Sequence, residues 1–278
     1  MTSELSGRVV LVTGASRGIG RRTAEQLAEH KSRLALTARS AKDLQALADS
    51  LRAAGVECEV FPGDLTDADF RKTLMHGILT RFGALDGLVN AAGVASFAEF
   101  TDSTPEILRT VTELNFFAPV ELIRLAQPHL LQSSLKGRRE PWSAFVLNIA
   151  STAGRCGIPS LSEHCGSKHA LIGFSEAIRL EFAQYDIDVL LVEPGVVKTD
   201  DHGKHFLQNK GKIHLDYEAG LSPEAAGKAV VRAILSRKRE SAVGRDAWWA
   251  LFCRRVWPRG MRWIMRRKVA RFARNAEM

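Results

Sequence analysis

Gly14-Ala15-Ser16-Arg17-Gly18-Ile19-Gly20 is the stretch of this chain best equipped to meet a phosphate. Glycines let the backbone approach a pyrophosphate, and a helix opening after them offers N–H groups and a partial positive charge. The spacing is Gly-x-x-x-Gly-x-Gly rather than the commoner Gly-x-Gly-x-x-Gly. Two cations stand where the adenosine ribose of a dinucleotide belongs: Arg17 inside the turn and Arg39 after the next strand. No Asp or Glu occurs between Leu34 and Ala41, so a ribose 2′-phosphate fits better than a free 2′-hydroxyl. That pairing points to NADP(H). Asp64, in Gly63-Asp64-Leu65-Thr66-Asp67, is placed either to accept from an adenine amino group or to cap a helix. Asn90-Ala91-Ala92-Gly93 lets the backbone pass close to a cofactor, with Asn90 bracing neighbouring strand ends.

The elements that must carry these residues follow from hydrophobic pattern. Val9 to Val12 read as a strand, followed by a helix from Arg21 to His30. Strands are predicted over Arg33–Ala38, Val56–Phe61, Leu88–Asn90, Ala144–Ala150 and Ile187–Val192, with a short one around Ala242-Val243. Helices are predicted over Lys42–Ala54, Asp67–Phe82, Pro105–Leu135 with a break near Thr110, Ser162–Gln184 and Pro223–Arg237. Strands alternating with helices in this way build an α/β, doubly wound parallel sheet with helices on both faces. Ligands of such sheets sit beyond the carboxyl ends of the strands, where the residues above fall. Residues 1–245 read as one domain. Within it, residues 196–222 show little periodicity and are expected to form a substrate flap.

In combination, the glycine turn, Arg39, Asp64 and Asn90-Ala91-Ala92-Gly93 resemble the short-chain dehydrogenase/reductase family, over about residues 7–200. The resemblance implies a Rossmann-like fold and hydride transfer between a nicotinamide and a carbonyl or alcohol. It implies a cofactor set of Gly14, Ser16, Arg17, Gly18, Ile19, Gly20, Arg39, Asp64, Leu65, Asn90, Ala91, Gly93, Lys168, Pro194, Gly195, Val197 and Thr199. In that family a tyrosine hydroxyl supplies the proton and a lysine four residues later lowers its pKa. A serine thirteen residues before the tyrosine holds the substrate oxygen, and an asparagine completes a relay. Ser151, Lys168 and Asn115 match these positions, and His164 stands where the tyrosine would be.

The chain has only Tyr185 and Tyr217, neither of them near that position. His164 and Lys168 are i, i+4 neighbours on one helix face, so the geometry is kept while the chemistry changes. An imidazole reaches about 2 Å less far than a phenol. A neighbouring ammonium also favours its neutral form, which is a poor acid. Three readings follow: a His-assisted enzyme with altered pH dependence, a non-catalytic NADP(H)-binding sensor or scaffold, or a substituted active enzyme. Asn115 has a physical argument of its own. Pro119 has no N–H, so the Asn115 carbonyl loses its helical partner and can hold a water. Cys165 lacks a base at nucleophile spacing.

The four cysteines show neither metal spacing nor a dense disulfide pattern, which suits reduced thiols in a cytoplasmic chain. The short stretch before the first predicted strand leads us to expect no leader, and no apolar run in the sequence is long enough to span a membrane. The net charge of +8 belongs to the end of the chain: ten basic and two acidic residues lie from Arg245 onward, against 29 of each before it. Residues 246–278 hold Trp248-Trp249, Leu251-Phe252 and Val256-Trp257, a break at Pro258, then Met261, Ile264, Met265, Val269 and Phe272 at 3–4 residue spacing, with arginines on the other face. This basic amphipathic tail reads as an interfacial helix at a membrane surface, with a dimer-contact helix as the alternative. Nucleic acid is not expected, because no base-reading motif is present. The expected substrate is a lipophilic ketone, aldehyde or alcohol, the expected assembly a homo-oligomer, and metal ligands are absent from the expectation.

Overall fold

The computed structural model describes residues 4–137, 143–198, 206–211, 220–260, 263–264 and 266–267. The chain alternates as β1 (Val9–Thr13), α1 (Gly18–Glu29), β2 (Arg33–Ala38), α2 (Ala41–Ala53), β3 (Cys58–Pro62), α3 (Ala68–Phe82) and β4 (Gly87–Asn90). It continues with β5 (Ala95–Phe97), α4 (Pro105–Thr112), α5 (Ala118–Gly137), β6 (Ala144–Ile149), α6 (Ser162–Ala183) and β7 (Ile187–Pro194). Last come β8 (Phe206–Asn209), α7 (Pro223–Leu235), β9 (Glu240–Val243) and α8 (Arg245–Val256).

Seven strands form one parallel sheet in the order β3-β2-β1-β4-β6-β7-β9. Side chains alternate along each strand and bury both faces. Val10, Val12, Leu34 and Leu36 join Leu27, Leu47 and Val230 on one side. Val9, Leu11 and Ala35 join Leu74, Leu122 and Ile178 on the other. The sheet is thus closed between α1, α2 and α7 above and α3, α5 and α6 below. The loops at the carboxyl ends of β1 to β4 face a common groove.

Two features depart from the expected pattern. The helix expected from Pro105 to Leu135 is not broken near Thr110. It widens into a π-turn over Glu113–Phe117, where the Ala118 N–H reaches back to the Glu113 carbonyl. Pro119 is the physical reason, since it cannot donate to the Asn115 carbonyl and its ring crowds that turn. Within the region expected to be an irregular flap, Phe206–Asn209 pairs in parallel with β5, joining Ala95 to Phe206 and Phe97 to Asn209. Phe97 and Phe206 pack with ring centroids 5.8 Å apart. This pairing runs through the backbone, so it leaves little trace in side-chain pattern.

Candidate active site

The loops after β1, β2, β3 and β4 enclose a groove of about 390 Å³. Gly14, Ser16, Arg17, Gly18, Ile19, Gly20, Arg39, Asp64, Leu65, Ala91 and Gly93 all line it. Its lining of turn glycines and two arginines suits a dinucleotide. Gly14 has φ +64°, and a β-carbon there would lie 2.9 Å from the Ala92 backbone; one at Gly20 would lie 2.4 Å from the Gly14 carbonyl oxygen. The turn is therefore drawn tight against itself, which is what brings its N–H groups to the surface. Helix α1 begins at Gly18, earlier than the pattern predicted, with no side-chain cap and no acid in its first turn. Its positive end suits a pyrophosphate. The Thr13 hydroxyl fixes the cradle: it accepts from the Ala91 and Ala92 N–H groups at 3.0 and 3.1 Å and donates to the Val89 carbonyl at 3.3 Å.

At the ribose end, sequence reading missed Ser40 and Asp43, which line the groove with Arg39. Ser40 caps α2 through the Asp43 N–H and donates to the Asp43 carboxylate at 2.6 Å. A serine followed three residues later by an acid was a legible capping signal. Of the two readings left open for Asp64, the helix cap falls to Asp67, which accepts from the Asp69 N–H. Asp64 instead accepts from the Thr66 N–H and hydroxyl at 2.9 Å and faces the groove. Beneath it, buried Arg71 donates to the Leu65 carbonyl and pairs with Glu121 on α5.

Asn90 is buried, and its amide donates to Asn148 Oδ1 at 2.8 Å; Asn148 donates in turn to Ser175 on α6. It braces the strand ends as expected, without lining the groove. Pro194 and Gly195 close β7, and Val197 bridges to Leu221. Thr199 and Tyr217 lie outside the described residues.

The acid–base residues converge on Gly93-Val94. Asn115, held in the π-turn, accepts from the Val94 N–H at 2.9 Å and donates to the Val94 carbonyl at 2.8 Å and to Ser167 at 3.0 Å. The His164 Nδ1 lies 3.4 Å from the same Val94 carbonyl. A β-carbon at Gly93 would sit 3.1 Å from Asn115 Oδ1 and 3.7 Å from Lys168 Nζ. Ser151 lies two residues beyond β6 and accepts from the Ala153 N–H, starting a single tight turn over Thr152–Gly154. The side chain of Asn115 thus fixes Val94 and ties it to Ser167 on α6. Tyr185 packs into the core beyond the far end of α6, about 30 Å from His164 at helical rise. It does not substitute for the missing phenol.

Lys168 is 6% exposed, and its Nζ donates to the Ile149 carbonyl at 2.8 Å. Burial pushes its pKa down to about 8. Below pH 8 folded and unfolded chains both hold the proton and the cost of burying it is full. Between pH 8 and 10.5 the folded chain has shed a proton that the unfolded chain still holds, so stability through this group rises with pH. At about 1.4 kcal/mol per pKa unit, less about 1 kcal/mol for the lost hydrogen bond, Lys168→Met should stabilise the cofactor-free protein by roughly 1–3 kcal/mol at pH 7. Denaturant melts of both proteins from pH 7 to 10 check this. The gap should narrow above pH 8, and a less stable variant at pH 7 would refute it.

Sequence reading also missed the clamp on the Ser151 turn. Arg155 spans Glu193 (3.0 Å), Glu176 (2.6 Å) and Glu240 (3.1 Å), tying the turn to β7, α6 and β9. These partners are far apart in sequence, so no local signal joins them. Cys165 is structural: it donates to the Cys156 carbonyl at 3.6 Å, and burial pushes its thiol pKa up, away from the reactive thiolate.

The family model described as short chain dehydrogenase matches residues 8–210. "11-beta-hydroxysteroid dehydrogenase A" of Sesamum indicum is 31% identical over 283 residues, covering 95% of this chain and 76% of the relative. A metagenomic short-chain oxidoreductase solved in complex with NADP is 28% identical, with a TM-score of 0.70 over 87% of this chain and 97% of that one. A short chain dehydrogenase/reductase from Burkholderia phymatum in complex with NAD shares the fold, with a TM-score of 0.79 over 91% of this chain and 94% of that one at 23% identity. With the glycine cradle, the Asn115, Ser151 and Lys168 positions and a match across most of its length, the chain belongs to the short-chain dehydrogenase/reductase family of NAD(P)-dependent oxidoreductases.

Proposed function

We propose that this protein interconverts lipophilic alcohols and carbonyls with NADP(H), and that His164 handles the proton in place of a phenol. The observation that carries the reading is the placement of His164, four residues before buried Lys168 and 3.4 Å from the Val94 carbonyl. A carbonyl takes only a donor, so this contact favours the Nδ1–H tautomer and leaves Nε2 as a base in the neutral ring. Lys168 keeps its positive charge below about pH 8, which also favours a neutral neighbour. Such a ring takes a proton from an alcohol more readily than it gives one to a carbonyl. Ser151, on its clamped turn, is placed to hold the substrate oxygen.

Gly14, Gly18 and Gly20 would hold the pyrophosphate, Arg17 and Arg39 a ribose 2′-phosphate, and Lys168 the second ribose. The cofactor, when bound, accepts or delivers the hydride at the carbon bearing that oxygen. The relative's printed name supports a steroid alcohol as the first substrate to try.

The test is turnover in both directions with a panel of hydroxysteroids, long-chain secondary alcohols and their ketones, from pH 6 to 9. Oxidation with NADP⁺ should exceed reduction and rise with pH through the imidazole range. Reduction should fall over the same range. No turnover in either direction, with NADPH bound normally, would favour the sensor or scaffold class instead.

A further inference from the structure

Helix α8 is built into the domain on one side and bare on the other. Its first turn holds a loop of the site: Asp246 Oδ2 accepts from the Val196 N–H at 2.9 Å. Gly195 is pressed so close that a β-carbon there would lie 2.0 Å from the same oxygen. Ala247 is fully buried, and α8 also touches the Thr152–Gly154 turn that follows Ser151. The domain therefore does not end at residue 245, and α8 stands between the two loops that flank the substrate side.

The outward face carries Trp248, Trp249 and Phe252, exposed by 53, 57 and 44%. Trp248 stacks on Phe252 at 5.2 Å and 6°, and Trp249 meets both edge-on. Val256 and Trp257 extend the exposed apolar surface. Along the sequence that follows, the charge has one sign. From Ala247 to Ala276 the sequence holds nine basic residues and no acid. Residues 258–260, 263–264 and 266–267 are helical too, and Arg267 lies over the Trp263 ring at 3.7 Å.

We propose that the α8 face is a docking surface for an anionic lipid bilayer, set at the mouth of the site so that substrate dissolved in the lipid enters beside it. The substrate clause rests on the lipophilic reading above; the docking does not. Tryptophan rings suit headgroup depth and arginines suit anionic headgroups. A second copy fits less well, because a two-fold contact through α8 would bring its basic residues together while its one acid, Asp246, is engaged by the Val196 N–H. Among the described residues no helix is long and apolar enough to cross a membrane, so the contact lies on the surface.

The experiment is vesicle flotation of the full chain at low salt. One set of vesicles is pure phosphatidylcholine, the other an equimolar mixture with phosphatidylserine. The full chain should float with the mixed vesicles, less with the neutral ones, and be released by salt. The Trp248→Ser/Trp249→Ser/Phe252→Ser variant should bind at least about tenfold more weakly, with unchanged NADPH titration and unchanged turnover of a water-soluble short alcohol. Its turnover of a vesicle-dissolved steroid alcohol should fall. A full chain that stays in the supernatant, or a triple variant that floats as well as the parent, overturns the docking surface. So does a parent dimer that the triple variant converts to monomer without either one floating. A chain that floats but turns over nothing leaves docking intact and defeats the functional reading.

Discussion

His164→Tyr is expected to raise NADPH-dependent ketone reduction by roughly 10²–10⁴-fold, the usual worth of a well-placed general acid. The rest of the constellation is in place. Asn115 is pinned to Val94, Lys168 is buried behind it, and Ser151 is fixed by its turn. A phenol at position 164 extends about 2 Å farther than the imidazole. It would stand one helical turn from the Lys168 ammonium, which favours the phenolate and so brings its proton within reach of neutral pH. NADPH affinity should change little, because His164 does not line the groove. Adding Lys168→Ala should remove most of the gain. Steady-state kcat/KM on one ketone, with dissociation constants from fluorescence titration, decides the matter. If the parent already reduces ketones as fast as the variant, His164 is itself a sufficient acid. The role assigned to its tautomer then falls.

Cofactor choice carries the second large effect. NADPH should bind more tightly than NADH by roughly 10- to 150-fold, the worth of charge-assisted pairing in a partly exposed site. Arg39→Asp should shrink or reverse that gap. Arg17 and Arg39 line the ribose end of the groove, but so does Asp43, whose negative charge opposes a 2′-phosphate. Its carboxylate is turned onto the Ser40 hydroxyl at 2.6 Å, which moderates the repulsion without removing it. Asp43→Asn should accordingly widen the NADPH preference. Equal dissociation constants for the two cofactors in the parent would refute the assignment of both arginines.

The nucleotide half of the site was legible because each part is local. A run such as Val9-Val10-Leu11-Val12 ends in glycines, and the residue after each strand lands at the carboxyl edge of a parallel sheet by topology alone. Ser151 and Lys168 could be placed only through family resemblance, and Asn115 through that and the proline four residues after it, since the three come from separate elements. What stayed hidden depends on distant partners. Arg155 meets Glu193 and Glu240 across 38 and 85 residues. Asp246 reaches Val196 across 50 residues, so a composition shift at residue 245 looked like a boundary when the first turn of α8 is part of the domain. The π-turn was half legible: Pro119 announced a disturbance, but the pattern cannot say whether a helix breaks or widens. Strands of three and four residues, such as β5 and β8, carry too little periodicity to register.

The pairing of β8 with β5 has a consequence for how such a protein can change over generations. The two strands form a sheet of their own, apart from the seven that hold the nucleotide cradle. Beyond that pairing, the side chain of β8 residue Gln208 reaches the Asp102 carbonyl. A lineage could therefore vary the segment around β8 without disturbing the seven-stranded sheet that carries the Gly14 cradle. Phe206, however, ties β8 to the cluster of Ala153, Leu161 and Cys165 beside the acid–base residues. The cradle can thus persist while that segment drifts, and the contact at Phe206 is where segment and site meet.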